Sequence, residues 1–184
     1  MQYTIFGQNS RQGSYVLLIE VDRRVELAFG KFMKSAMFVL QPGYYLYVGS
    51  ALGSAKGRFP LASRLLRHAS RNEKKPAHTI RTALLDLFIS WGYRSPAAHK
   101  GKKMYWHIDY LLNRPEAEIR HVYILLSPLR LEQELAALLA SAPGALPVAN
   151  RLGAQDANSG THLFKIEAKD AFLTNLETRL KALV

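Results

Sequence analysis

Gly13-Ser14-Tyr15-Val16-Leu17-Leu18-Ile19-Glu20-Val21 is the stretch on which the fold turns: from Tyr15 to Val21 its density of Val, Leu and Ile suits a buried strand. Asp22-Arg23-Arg24 reads as a turn into a second strand, Val25 to Phe29. Ala36 to Leu40 is a third short apolar run, broken by the turn formers Gln41-Pro42-Gly43. A further strand, Tyr44 to Val48, ends at Gly49-Ser50. On this reading the first fifty residues make one compact antiparallel sheet.

Beyond that sheet the period changes. Leu61, Leu65 and Leu66 recur at helical spacing while Arg58, Arg64, Arg67 and Arg71 decorate other faces, which predicts a basic amphipathic helix. Pro76 and the charged run Arg71 to Lys75 separate it from a second helical stretch, Thr79 to Trp91, and a loop from Gly92 to Lys103 follows. The stretch of about 71–103 is therefore basic and largely helical. Met104 to Leu112 fits either a helix or a short strand, whereas Ile119 to Ser127 is a strand and Leu131 to Ala140 a helix. His162 to Ile166 looks like a closing strand before a terminal helix, Ala168 to Leu183. Strands first and helices after predict an α+β domain, a small antiparallel or mixed sheet flanked by helices. No glycine-rich phosphate loop follows any strand.

The 184 residues allow one sizeable core, so 1–184 is read as a single domain. With 25 Lys and Arg against 14 Asp and Glu, the net charge of +11 makes a phosphate backbone the natural partner. The absence of cysteine excludes disulfides and thiolate zinc. Any metal would be held by carboxylate, imidazole or water, which favours a hard ion such as magnesium or manganese. No apolar run approaches the roughly 18 residues of a membrane span, and the start lacks the pattern of a secretory signal, so a cytoplasmic protein is expected.

Four groups follow one another along the chain: Gly13-Ser14-Tyr15, then Tyr47-Val48-Gly49, then Arg64, then Glu132 in Glu132-Gln133-Glu134-Leu135. That order resembles the GIY-YIG nucleases, with serine at the centre of the first motif. Gly43-Tyr44-Tyr45-Leu46-Tyr47-Val48-Gly49-Ser50-Ala51, Arg67-His68, Trp106-His107-Ile108-Asp109-Tyr110 and Thr161-His162-Leu163-Phe164 are similar to blocks of one branch of that superfamily, catalogued as a domain of unknown function. The resemblance implies a GIY-YIG-like fold in which about 71–103 is a basic helical insertion serving as an arm on the substrate, and a hydrolase, an endonuclease working on nucleic acid, DNA ahead of RNA, with one divalent metal, Mg2+ or Mn2+. It also implies that Tyr15 or Tyr47 activates water, Arg64 steadies the phosphate and Glu132 anchors the metal, with Glu134 a competing ligand. A module that kept the fold and binds nucleic acid without turnover is the rival expectation.

Phosphodiester hydrolysis needs a positioned water, a group to take its proton and a cation for the charge growing on the phosphate. A tyrosine serves as proton acceptor only if its surroundings lower its usual pKa of roughly 10. His68, four residues after Arg64 and so on the same helix face, suits phosphate contact, proton transfer or a plain surface role. His107 and Asp109 share a face if their segment is extended and would then form a metal or relay pair. The resemblance also makes Asn158 and His162, near the position of a late asparagine in that superfamily, candidates for closing the site. Arg58, Arg67, Arg71, Lys74, Lys75, Lys102 and Lys103 are the expected phosphate-binding cations.

Overall fold

The computed structural model of the chain describes residues 2–8, 10–53, 59–72, 75–94, 102–153, 160–167 and 169–184. Its central strand, β2 (Gly13–Val21), has β5 (Gly43–Ala51) on one side and β6 (Ala117–Leu126) on the other, both antiparallel. Tyr15, Leu17 and Ile19 point into one core while Val16 and Leu18 point into a second, which is why the run carries so little polar interruption. The expected strand is thus buried on both faces.

The sheet is completed by β1 (Tyr3–Phe6), parallel to β6, and by β8 (Leu163–Ile166) and β7 (Ala145–Pro147) beyond β5, giving the order β1-β6-β2-β5-β8-β7. On the Tyr15 face lie α1 (Pro60–His68), α2 (Ile80–Ser90) and α3 (His107–Leu112); on the Val16 face lie α4 (Glu132–Ala140) and α5 (Lys169–Lys181). This is a mixed α+β architecture of helix, sheet and helix layers.

The first fifty residues are not one sheet. β3 (Val25–Ala28) and β4 (Met37–Leu40) pair only with each other as a separate ribbon, laying Val25, Leu27 and Leu40 against the Tyr15-side core. Nor is the described part of 71–103 a free arm. Ile80, Leu84 and Phe88, spaced by four, are wholly buried in the main core, and each such side chain is worth roughly 1.5–3 kcal/mol of burial. The Met104 to Leu112 segment resolves as helix over its second half, with Asp109 at the third helical position accepting the Trp106 amide.

Candidate active site

Tyr15 stands opposite Gly49 in the β2–β5 register, and its ring lies across that glycine. A Cβ on Gly49 would sit 2.4 Å from the Tyr15 hydroxyl oxygen, so only glycine leaves room for the ring. Completely buried, the hydroxyl meets Nε2 of His68 at 2.8 Å. His68 is the last residue of α1, a helix started by Pro60 and held to the sheet by Leu61, Ala62, Leu65 and Leu66. Burial pulls the His68 pKa down to about 4, against the opposing pull of Asp109. It is therefore neutral at pH 7, and its Nδ1 lies 3.7 Å from Asp109 Oδ1, beyond hydrogen-bond reach; the tautomer that accepts from Tyr15 at Nε2 would carry its proton on that Nδ1.

Asp109 is the electrostatic centre of this layer. Arg67 donates to both its oxygens at 2.9 Å, the amides of Tyr105 and Trp106 donate at 3.0 and 2.9 Å, and Lys102 Nζ lies 3.4 Å away. Burial pushes this carboxyl up, but His68, Lys102 and the Tyr105 amide outweigh it and hold the group well below the usual carboxylate range. The guanidinium of Arg64 lies 3.8 Å over the Trp106 ring and that of Arg67 4.5 Å.

Glu132 comes from the opposite layer as the first residue of α4. The Ser50 hydroxyl, at the end of β5, donates to its Oε2, and His162 Nδ1 lies 3.2 Å from Oε1. Burial raises the Glu132 pKa, yet His162 and Ser50 together leave it lowered, so the group is ionised. Its charge and that of Arg64 both act on the hydroxyls of Tyr15 and Tyr47. Tyr15, Tyr47, Arg64, His68, Asp109, Glu132 and His162 thus come together around one end of β5.

Several expectations are corrected. Burial raises the pKa of both Tyr15 and Tyr47, and the lowering by Arg64 does not overcome it. Neither is a ready-made base. His107 and Asp109 form no pair, since residues two apart on a helix point away from each other. His107 instead accepts from the Gly153 amide at 3.2 Å and packs on Phe32. Arg71 is not a surface cation: its side chain is buried, reaching Glu118 at 2.9 Å, His78 at 3.1 Å and the carbonyls of Pro76 and Ala117. Lys102 is likewise buried, donating to the Ser70 carbonyl at 3.1 Å, and burial drops its pKa to about 8.

Among the other expected cations, Arg67 is committed to Asp109, Lys75 is half-buried and Lys103 is exposed. Arg58, Lys74 and Asn158 lie outside the described residues. Sequence reasoning missed Ser50 as a partner of Glu132, Trp106 as the platform under Arg64, and the Asp109–His68 contact. The position of Ser50 directly after the Tyr47-Val48-Gly49 motif is the one signal that could have suggested the first.

Alongside α1 a cleft of about 750 Å³ opens, lined in part by Phe59, Arg64, Arg67, Tyr93, Arg94 and Trp106. Among the described residues no three His, Asp or Glu side chains converge as a metal cluster. A hard cation at Glu132 would therefore draw most of its ligands from water and a bound phosphate, the usual habit of magnesium. Glu132, ionised and steadied by Ser50 and His162, is the carboxylate that would meet it.

A mixed α+β domain with a buried tyrosine–histidine–aspartate array beside an arginine and a glutamate is the class these features define. The chain belongs to the family described as Domain of unknown function DUF123, whose family model matches residues 14–184. Neither the curated proteins nor the solved structures give a match.

Proposed function

We propose that the protein is a divalent-metal-dependent endonuclease of the GIY-YIG type, hydrolysing phosphodiester bonds of nucleic acid, DNA in preference to RNA. The observation that carries this reading is the 2.8 Å contact of Tyr15 with a neutral His68, beside Arg64 and an ionised Glu132. The order Gly13-Ser14-Tyr15, Tyr47-Val48-Gly49, Arg64 and Glu132 resembles that superfamily, and the net charge of +11 suits its polyanionic substrate.

Tyr15 acts as a relay and not as a preformed tyrosinate. Its hydroxyl takes a proton from the attacking water while passing its own to His68 Nε2, and the buried charge of Asp109 stabilises the imidazolium that results. The oxygen of that water forms the new bond to phosphorus, and the bond to the leaving strand oxygen breaks. Arg64, its guanidinium 3.8 Å over the Trp106 ring and hydrogen-bonded to Tyr15, supplies positive charge to the phosphate as charge builds there. A magnesium or manganese ion held by Glu132 would supply Lewis-acid charge at the same phosphate.

The complete burial of Tyr15 favours a second reading, a nucleic-acid-binding module without turnover. Incubation of the protein with labelled single-stranded, duplex and branched DNA and RNA, with magnesium or manganese, tests both. Metal-dependent cutting that disappears in Glu132→Ala is the expected result. Binding without cutting of any substrate would transfer the conclusion to the binding module.

A cytoplasmic setting is part of the proposal. Among the described residues no helix is long and apolar enough to cross a membrane.

A further inference from the structure

The cleft beside Arg64 has a composition that phosphate binding alone does not require. Phe59 and Tyr93 meet edge to face at 5.7 Å near the start of α1, and Arg11 lies 4.3 Å over the Phe59 ring. Trp106 carries Arg64 and Arg67 further along. From Phe59 to Arg67 the helix rises about 12 Å at roughly 1.5 Å per residue, so the groove carries ring and guanidinium groups along the length of α1. Arg94 stands exposed at its edge, and no Asp or Glu is among its described lining residues. Its volume of about 750 Å³ falls in the ordinary range for organic ligands.

A phosphate backbone is satisfied by cations; it gains nothing from ring faces. Paired bases within a duplex are already stacked on their neighbours and offer only their edges. An aromatic groove beside a phosphate-binding arginine therefore matches a strand whose bases are unpaired. We infer that this cleft binds an unpaired nucleotide next to the cutting point, its base against Phe59 and Tyr93 and its phosphate against Arg64 and Arg94. This rests on the nuclease reading and gives it a substrate class: strands carrying single-stranded segments, not blunt duplex.

The test uses the full chain with EDTA present, so that metal-dependent cutting does not interfere. Three probes are titrated: a short single-stranded DNA containing 2-aminopurine, the blunt duplex of the same sequence, and dAMP. The single strand binds more tightly than the duplex, and its 2-aminopurine fluorescence is quenched as the base stacks. Tyr93→Leu and Phe59→Leu, which keep apolar bulk without the ring, each weaken single-strand binding roughly tenfold and leave duplex binding unchanged. Should either fail to fold, Arg94→Ala at an exposed position still lowers single-strand affinity, and the wild-type quench stands without any variant.

Binding without quenching, a preference for blunt duplex, or dAMP that the single strand does not displace would overturn the assignment; the last would mark a free-nucleotide site. Cutting assays with metal separate this from the function itself. Quenching with no cutting of any substrate supports the cleft and sinks the nuclease, while cutting without quenching sinks the cleft alone.

Discussion

Tyr15 and Gly49 behave as one unit, because the ring of the first occupies the volume a side chain on the second would need. Gly49→Ala forces Tyr15 or the β5 backbone to move; a destabilisation of about 1–3 kcal/mol in urea unfolding, with loss of any cutting, is expected. His68 gives the site its pH dependence. It titrates at about 4 when folded, against roughly 6.5 in an unfolded chain, so between those values the unfolded state binds the extra proton. Stability therefore rises with pH across about 4 to 6.5 and is lost on acidification, and under the proposed relay the acceptor is lost as pH falls toward 4. His78, also lowered mainly by burial, adds a slope of the same sign. Urea unfolding measured across that window should show a shallower slope for His68→Gln; an unchanged slope would contradict the assignment. The Tyr15–His68–Asp109 array was not legible in the sequence, since its members lie far apart in the chain and no local period connects them.

At the level of elements, periodicity carried the large pieces and failed on the small ones. The strands through Tyr15 and Tyr47, the long strand ending at Leu126 and the helices over Leu61, Leu84, Leu135 and Leu176 are each long enough for the pattern of their apolar residues to show. β1, with four residues, and β7, with three, are too short to display one. The separation of β3 and β4 from the main sheet was invisible too, because pairing partners are chosen across space. α2 belongs to the core although basic residues flank it, because burial is set by Ile80, Leu84 and Phe88 on one helix face and not by the charge of neighbouring segments. If α2 is core, Leu84→Ala costs about 2–5 kcal/mol in denaturant unfolding. A loss under 1 kcal/mol would restore the arm.

For the molecule as a whole, the net charge is not evenly available to a partner. Arg71 is neutralised inside by Glu118, and Lys102 and Arg67 share Asp109, whereas Arg94 is exposed beside the cleft. Measured as log affinity against log salt, nucleic-acid binding should lose about one unit of slope in Arg94→Ala. Arg71→Met should keep the slope and lose stability, since it removes the buried guanidinium that neutralises Glu118 and donates to the Ala117 carbonyl. Equal slopes for the two variants would mean that burial does not sort these cations. By itself the sequence determined the α+β class, the strand–helix order, the excess of positive charge and the motif residues Tyr15, Tyr47, Arg64 and Glu132. The class, the order and the charge are written in local composition or spacing, whereas those four residues were singled out by the resemblance of their order to a known family. Only the tertiary structure decided that His68 and Asp109 stand behind Tyr15, that Ser50 and His162 hold Glu132, and which arginines face outward. Those outcomes depend on which layer a side chain enters and whether an opposite charge waits there, and both arise from packing between segments distant in the chain.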